Sequence, residues 1–414
     1  MKHVIIGSGP AGVLAAETLR RGDAAAEIVL VGDEPGLPYS RMAIPYLLAG
    51  SIDEQGTLLR KWPDHYKRLG IQLVHARAES LDAARRTVKL SDGQSLSFDR
   101  LLIATGSRPL RPPIPGIDLA RVHPCWTLDD ARHIAALAQP GKRVVQLGAG
   151  FIGCILLQAF VERGVRLTVV EMGDRMVPRM MTPAAGTLIR NWVERKGVKV
   201  HLNARAQSVS GDAALKVSLT GGPTLECDLL ICAAGVRPAI EFLRDSGIAL
   251  AEGVLVDERM QSSVAGVYAA GDAAEAAAFH GGRPQLNAIQ PNAVDQARVA
   301  AVNMLGGDTT LQGSLAINVL DTLGLVSSSF GEWQGSGKPG DGVELLDEAN
   351  SRYLSLQFAE DVLIGATTVG WTDHVGALRG LIQGRVRLGA WKAKLLDDPT
   401  QFMAAYLAAA QKAA

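Results

Sequence analysis

One stretch decides the fold of this chain: Gly7-Ser8-Gly9-Pro10-Ala11-Gly12. An apolar run ending at Ile6 precedes it, a helical pattern of apolar residues follows, and a second apolar run then ends at Asp33-Glu34. Strand, glycine turn, helix, strand and acid, in that order, make a dinucleotide-binding unit. The first glycine allows the tight turn, the second lets a pyrophosphate approach the backbone, and the third lets helix and strand pack closely. The acid lies where a carboxylate accepts hydrogen bonds from ribose hydroxyls.

The same unit occurs a second time. A strand pattern from Arg143 to Leu147 leads into Gly148-Ala149-Gly150-Phe151-Ile152-Gly153, then a helical pattern, an apolar run and finally Glu171. One glycine motif is a weak signal, but two complete units argue against coincidence and predict two bound dinucleotides. Glu171 would accept a bond from a ribose 2′-hydroxyl and repel a 2′-phosphate, which favours NAD(H) over NADP(H). Two alternatives stay open: a solvated strand-end acid, and a preference weakened by Arg175.

Three further apolar strands end in turns of small residues, and their composition suits a sheet buried on both faces. They end in the turns Ala104-Thr105-Gly106, Ala233-Ala234-Gly235 and Ala270-Gly271-Asp272. In the last of these turns, Asp272 is placed to bind a polyol hydroxyl. The alternative is an ordinary Gly-Asp turn.

Composition excludes several classes of function. The 414 residues are too many for one core, and 42 basic residues balance 42 acidic ones, so neither nucleic acid nor an anionic membrane is implied as a partner. No apolar run reaches the roughly 18 residues that a membrane span needs, and we expect no signal peptide, because a strand pattern begins directly after Met1. The four cysteines form no Cys-x-x-Cys pair and the eight histidines no cluster. We therefore expect no metal site and a cytoplasmic location.

Four of these stretches occur in an order and at a spacing that resemble the pyridine nucleotide–disulfide oxidoreductase superfamily, over roughly residues 1–312: Gly7 to Gly12, Ala104-Thr105-Gly106, Gly148 to Gly153 and Ala270-Gly271-Asp272. Within it, the stretch Asp33-Glu34-Pro35 to Pro38-Tyr39-Ser40-Arg41 is similar to the ferredoxin/rubredoxin reductase and nitrite-reductase flavin-subunit branch. The resemblance implies FAD on the first unit and on Asp272, and NAD(H) on the second unit.

The resemblance also implies an α/β fold like that of glutathione reductase, with two Rossmann-type domains. Residues 1–112 and 236–312 would form the FAD domain, which 113–235, the NAD(H) domain, interrupts. Residues 313–414 would form an α+β C-terminal interface domain.

Other site residues follow from the same resemblance. Arg41 would reach the flavin, and the helix that begins near Asn292-Ala293 would point its N-terminus at the flavin pyrimidine edge; the alternative is an ordinary capped helix. The family's redox thiol position holds Met42, which can form neither thiolate nor disulfide. Tyr46 stands where the branch has a lysine, and Ile155 where relatives carry an acid near the nicotinamide.

These residues predict an enzyme whose chemistry takes place at flavin N5, with no catalytic side chain. Since the chain lacks a second redox centre, we expect an NADH-dependent reductase that exchanges electrons with an iron–sulfur carrier, or with an iron–sulfur subunit of a hetero-oligomeric complex. Two alternatives remain: an NADH oxidase that uses oxygen, and a flavin-bearing assembly protein that senses redox state.

Overall fold

A computed structural model describes residues 1–413 of the chain. These residues form two compact units. The first comprises residues 1–43, 52–108 and 236–315, and the second comprises residues 44–51, 109–235 and the described residues from 316 onward. No helix within residues 1–413 is long and apolar enough to cross a membrane.

A five-stranded parallel sheet forms the centre of the first unit. Its strands lie in the order Val267–Ala269, Arg100–Ile103, Lys2–Ile6, Glu27–Gly32 and Ile71–His75. The apolar residues of the four strands from Val267–Ala269 to Glu27–Gly32 are almost completely buried because helices cover the sheet, whereas Leu73 and Val74 in the edge strand are partly buried. The principal helices are Pro10–Gly22 and Gln290–Met304, which pack against each other.

Smaller elements surround this sheet. One three-stranded sheet contains Ala78–Asp82, Thr87–Leu90 and Ser95–Ser97, and another contains Val254–Leu255, Ala274–Ala277 and Pro284–Leu286. Strands Ser107–Pro109 and Val236–Pro238 pair with each other. The short helices of this unit are Arg41–Ala43, Gln55–Thr57, His65–Arg68, Glu241–Leu243 and Gly271–Ala273.

The second unit contains another five-stranded parallel sheet, in the order Lys199–His201, Arg166–Val170, Arg143–Leu147, Leu229–Cys232 and Val122–His123. Its helices are Ile44–Leu48, Leu128–Leu137, Phe151–Glu162 and Pro183–Arg195. A three-stranded antiparallel sheet is formed by Ala206–Gly211, Leu215–Leu219 and Thr224–Cys227. The α/β class with two Rossmann-type sheets, predicted from the sequence, is confirmed.

The C-terminal part of the second unit is an antiparallel sheet with helices. Its strands lie in the order Ile317–Thr322, Leu325–Gly331, Val362–Val369, Arg352–Ala359 and Gly342–Asp347. The helices that follow are Val375–Gln383, Ala390–Asp397, Pro399–Gln401 and Phe402–Ala413. Side-chain hydrogen bonds join this part to helix Pro183–Arg195: the Trp192 indole N–H donates to the Leu323 carbonyl at 3.0 Å, and the Thr182 hydroxyl to the Tyr353 hydroxyl at 2.8 Å.

Candidate functional site

The first glycine-rich turn, between strand Lys2–Ile6 and helix Pro10–Gly22, is built by backbone packed directly on backbone. Gly7 has a φ of +115°, and a Cβ atom on it would lie 2.0 Å from the carbonyl oxygen of Ala104. A Cβ atom on Gly12 would lie 1.8 Å from the carbonyl oxygen of Gly7. Neither position has room for a side chain. Glycine at both positions therefore lets the start of the helix pack directly against the strand.

The middle glycine of this turn faces open space. A Cβ atom on Gly9 would meet no heavy atom within 4 Å. Gly9 is also the N-cap residue of the helix; it supplies no capping side chain, and Pro10 follows at the start of the helix. The N–H groups at such a helix end attract an anion, and the space at Gly9 accommodates one. The turn therefore fits the pyrophosphate of a dinucleotide.

The second turn repeats this design in the second unit. Gly148 has a φ of +98°, and its Cβ atom would lie 2.3 Å from the Ala233 carbonyl oxygen. Gly150 faces open space and is an uncapped N-cap, while a Cβ atom on Gly153 would lie 2.4 Å from the Gly148 carbonyl oxygen. The helix that follows begins with the half-buried Phe151 and Ile152. Each unit thus carries one turn that fits a pyrophosphate.

The two acids after the second strand have different surroundings. Asp33 is exposed, whereas Glu34 is partly buried and accepts hydrogen bonds from the Tyr39 hydroxyl at 2.5 Å and the Arg41 guanidinium at 2.6 Å. Glu34 therefore fixes the segment that carries Arg41. This contact was not evident from the sequence, where Glu34 was assigned only to the cofactor.

Asp272 lies at the end of strand Val267–Ala269, where the sequence predicts it. Burial raises the pKa of its carboxyl group, while a hydrogen bond from the Ser107 hydroxyl (2.6 Å) and the charge of Arg41 act in the opposite direction. In the neighbouring turn, the buried Thr105 Oγ1 has no hydrogen-bond partner among residues 1–413, and Gly106 has a φ of +67°. A partly buried carboxylate and a buried hydroxyl without a partner are groups that a polyol chain would satisfy.

Helix Gln290–Met304 positions the Gly271-Asp272 turn from behind. The Gln296 side chain is buried; its carbonyl accepts from the Gly271 N–H at 2.8 Å and its amide donates to the Ser314 hydroxyl at 3.1 Å. A Cβ atom on Gly271 would lie 3.5 Å from the Cβ atoms of both Ala11 and Ala293. The structure therefore brings together the first glycine turn, Asp272 and the start of this helix. Within the helix, Asn292 is buried and donates to the Leu315 carbonyl.

In the second unit, Glu171 is buried against the glycine turn. One carboxylate oxygen accepts from the Ala149 N–H at 2.7 Å, and the other accepts from the Gly173 N–H at 2.7 Å. The Ala149 carbonyl accepts from the Val177 N–H at 2.8 Å. Only 9% of Glu171 is exposed, so the structure does not support the alternative of a solvated acid at the end of the strand. The turn ending at Gly235, which has a φ of +110°, belongs to the same sheet edge.

Arg175 does not project as a free cation beside Glu171. Its guanidinium donates to the carbonyls of Met181 (2.9 Å) and Pro178 (3.3 Å) and to the Asp174 carboxylate (2.7 Å). These contacts hold residues 174–181 in a closed loop. The proposal that Arg175 weakens the preference for NAD(H) therefore loses its geometric support.

The cysteines are poorly suited to redox chemistry. All four are buried free thiols, and burial raises the pKa of each, to about 11 for Cys227. At the family's thiol position, Met42 is 47% exposed in helix Arg41–Ala43. Among the described residues, no group of three or more His, Cys, Asp or Glu side chains could hold a metal ion. Ile155 is half-buried in helix Phe151–Glu162.

The family model described as pyridine nucleotide-disulphide oxidoreductase matches residues 1–301. The NADH-dependent phenylglyoxylate dehydrogenase subunit epsilon of Aromatoleum evansii is 34% identical over 405 residues, which cover 96% of this chain and 95% of that protein. The rubredoxin-NAD(+) reductase of Pseudomonas putida is 30% identical, with 92% and 99% covered. A solved ferredoxin reductase for the CYP199A2 system from Rhodopseudomonas palustris superposes with a TM-score of 0.82 at 27% identity, covering 89% of this chain and 91% of that one.

This chain belongs to the pyridine nucleotide-disulphide oxidoreductase family. It is an oxidoreductase that depends on FAD and NAD(H), as the sequence predicted. The resemblance to the ferredoxin and rubredoxin reductase branch is also confirmed.

Proposed function

We propose that this member of the pyridine nucleotide-disulphide oxidoreductase family transfers electrons between NAD(H) and an external iron–sulfur centre, with FAD as the intermediate. The burial of all four thiols carries the proposal. Since no described cysteine is accessible, a dithiol in the chain cannot pass electrons on, and the partner must bring its own centre. Relatives named as ferredoxin and rubredoxin reductases support an iron–sulfur protein as that partner.

We assign FAD to the first unit. Gly7, Gly9 and Gly12 would admit its pyrophosphate against the start of helix Pro10–Gly22. Asp272 would bind the ribityl chain, with its carboxylate oriented by the Ser107 hydroxyl. We also assign Arg41 to this site; the effect of its charge on the Asp272 carboxyl group supports the assignment.

We assign NAD(H) to the second unit, on Gly148, Gly150 and Gly153, with Glu171 beside the adenosine ribose. When bound, the cofactors supply the chemistry: nicotinamide C4 and flavin N5 exchange hydride, and the flavin exchanges single electrons with the partner. The chain's residues bind and orient the cofactors, and none of them has to act as acid, base or nucleophile. The division into FAD, NAD(H) and C-terminal interface domains is part of the proposal, as is a cytoplasmic location.

We further propose that the chain is the flavin subunit of a multi-subunit oxidoreductase. The supporting observation is that its similarity to a protein named as a dehydrogenase subunit extends over 96% of this chain and 95% of the relative. In such a complex another subunit would oxidise the organic substrate and pass electrons through iron–sulfur centres to the flavin, so that NAD⁺ is reduced.

An anaerobic stopped-flow experiment tests the proposal. The FAD-loaded chain is mixed with NADH, and flavin absorbance is followed; a ferredoxin or oxygen is then added to the reduced protein. We expect rapid bleaching by NADH, rapid recovery with the ferredoxin and slow recovery with oxygen. Recovery that is fast with oxygen and unaffected by ferredoxin would instead indicate an NADH oxidase, and absence of bleaching would contradict both functions.

A further inference from the structure

Gln146 is a fully buried polar residue in the strand that leads to the second glycine turn. It lies in strand Arg143–Leu147, two positions before Gly148, and has no exposed surface. Its side-chain amide donates to the carbonyl oxygens of Gly148 at 3.0 Å and Gly153 at 3.1 Å. One side chain thus joins the first and third glycines of the turn.

The chain contains its own comparison for this position. Ile5 lies two positions before Gly7 in the equivalent strand of the first unit. A Cβ atom on Gly12 would lie 3.3 Å from Ile5 Cγ2, and a Cβ atom on Gly153 would lie 2.8 Å from Gln146 Nε2. The two side chains occupy corresponding places beneath the two turns, and one of them is apolar.

Packing alone does not account for the amide. Gln146 Oε1 is buried and has no hydrogen-bond partner within the part of the chain that the structure describes. A buried acceptor without a partner is unfavourable, whereas an aliphatic side chain fills the corresponding place in the first unit. The polar group therefore needs a reason other than core stability.

The peptide plane between Gly148 and Ala149 supplies that reason. In a planar trans peptide the carbonyl and the N–H point in opposite directions. The Gly148 carbonyl accepts from Gln146, and the Ala149 N–H donates to Glu171 at 2.7 Å on the other side. The plane is held between these two side chains, which fixes both the turn and the carboxylate of Glu171.

We propose that Gln146 is a positioning residue for NAD(H): it orients the glycine turn and Glu171 without touching the cofactor. The inference rests on the proposed NAD(H) site in the second unit. Because a positioned turn binds the cofactor's pyrophosphate and ribose, which do not react, its loss weakens ground-state and transition-state binding alike. Such a loss raises KM and leaves kcat unchanged.

The test compares Gln146→Met, which keeps the length of the side chain, and Gln146→Ile, which copies the first unit. Steady-state kinetics with NADH and ferricyanide as acceptor give KM and kcat, and the flavin content and Tm are measured on the same samples. We expect both variants to raise KM for NADH about tenfold, equivalent to about 1.4 kcal/mol, with kcat and FAD content within twofold of the parent.

Two further variants separate the explanations. Val217→Ala removes volume from the buried strand Leu215–Leu219 of the same unit, outside the glycine turn, so it should lower Tm and leave KM unchanged. Gly150→Val fills the open space of the turn and should raise KM strongly if NAD(H) binds there. An unchanged KM in both Gln146 variants overturns the inference if Gly150→Val still raises KM. An unchanged KM in Gly150→Val as well would show that the proposed NAD(H) site itself is wrong.

Discussion

Replacing Glu171 by alanine should weaken NADH binding through two separate effects. The substitution removes the acceptor of two backbone N–H groups, and the one at Ala149 is completely buried. An unsatisfied buried donor costs about 1–3 kcal/mol. The variant also loses the carboxylate that would accept a bond from the ribose 2′-hydroxyl. The first effect disturbs the turn and applies to any pyridine dinucleotide, while the second depends on the 2′ substituent.

These two effects predict different measurements. If the turn moves to satisfy the freed Ala149 N–H, binding must restore it at a cost of up to about 1–3 kcal/mol, which sets an upper limit of roughly a 5- to 150-fold rise in KM for NADH. NADPH suffers the same disturbance but is freed from repulsion between Glu171 and its 2′-phosphate. The ratio of kcat/KM for NADH to kcat/KM for NADPH should therefore fall by at least about tenfold. This estimate follows because NADH loses a charge-assisted hydrogen bond to Glu171, which is worth about 1.5–3 kcal/mol.

The assay is anaerobic flavin reduction at a series of NADH and NADPH concentrations, with FAD-loaded Glu171→Ala and Glu171→Gln. Glu194→Ala is the matched control, because Glu194 is an exposed acid of the same unit that pairs with Arg190 one helical turn away. An unchanged NADH-to-NADPH ratio would refute the assignment of Glu171 to the ribose. It would do so even if KM rose for both cofactors, because the turn alone explains a common rise.

Three other predictions concern the first unit and the thiols. Asp272→Ala should reduce the FAD bound per chain after gel filtration. Ser107→Ala should reduce it less, because Ser107 only orients the Asp272 carboxylate. Equal flavin content in the two variants and the parent protein would contradict this prediction. Iodoacetamide at pH 8 should leave NADH–ferricyanide activity unchanged, because burial raises the pKa of every cysteine thiol; loss of activity would argue against a thiol-independent route. Burial raises the pKa of the Glu17 carboxyl group, but hydrogen bonds from Arg60 and His65 outweigh this effect, and the net pKa is lowered. The ionised carboxylate therefore stabilises the fold at pH values above the ordinary glutamate pKa, and this stabilisation is lost as the pH falls below that value. Glu17→Ala should accordingly lower Tm by about 2–4 °C at pH 7 and by less at pH 4. An equal shift at both pH values would contradict the ion-pair explanation.

The parts of the site that the sequence could predict are those that local backbone geometry determines. Gly7 and Gly148 have positive φ, and a Cβ atom on either would overlap a carbonyl oxygen. Because only glycine fits such a position, the glycines of the motif predict the geometry of the turn. The two parallel sheets were predictable for a similar reason, because strands buried on both faces are apolar throughout.

Contacts between distant residues could not be predicted in the same way. Ser107 and Asp272 are 165 positions apart, and nothing in either local sequence indicates that the hydroxyl reaches the carboxylate. Gln296 lies inside a helix whose composition is ordinary, and only the fold shows that its amide holds Gly271. Gln146 is different, because a polar residue in the middle of a buried strand was a visible signal. Comparing the two glycine motifs position by position, with Ile5 as the reference, would have identified it.

The two glycine turns, which we assign to FAD and NAD(H), are supported by different kinds of contact. The turn that we assign to FAD packs on Ile5, and Asp272, Ser107 and Gln296 form a second set of contacts around the Gly271-Asp272 turn. The turn that we assign to NAD(H) is instead held by a hydrogen bond from Gln146 and by one to Glu171. Directional bonds that meet at a single peptide determine its orientation more strictly than aliphatic packing does. A cofactor that must leave after each turnover gains from a turn that is fully formed before binding, because less ordering is then needed at each encounter. On this reasoning, changes beneath the FAD turn should alter how much flavin the protein retains, whereas changes beneath the NAD(H) turn should alter KM.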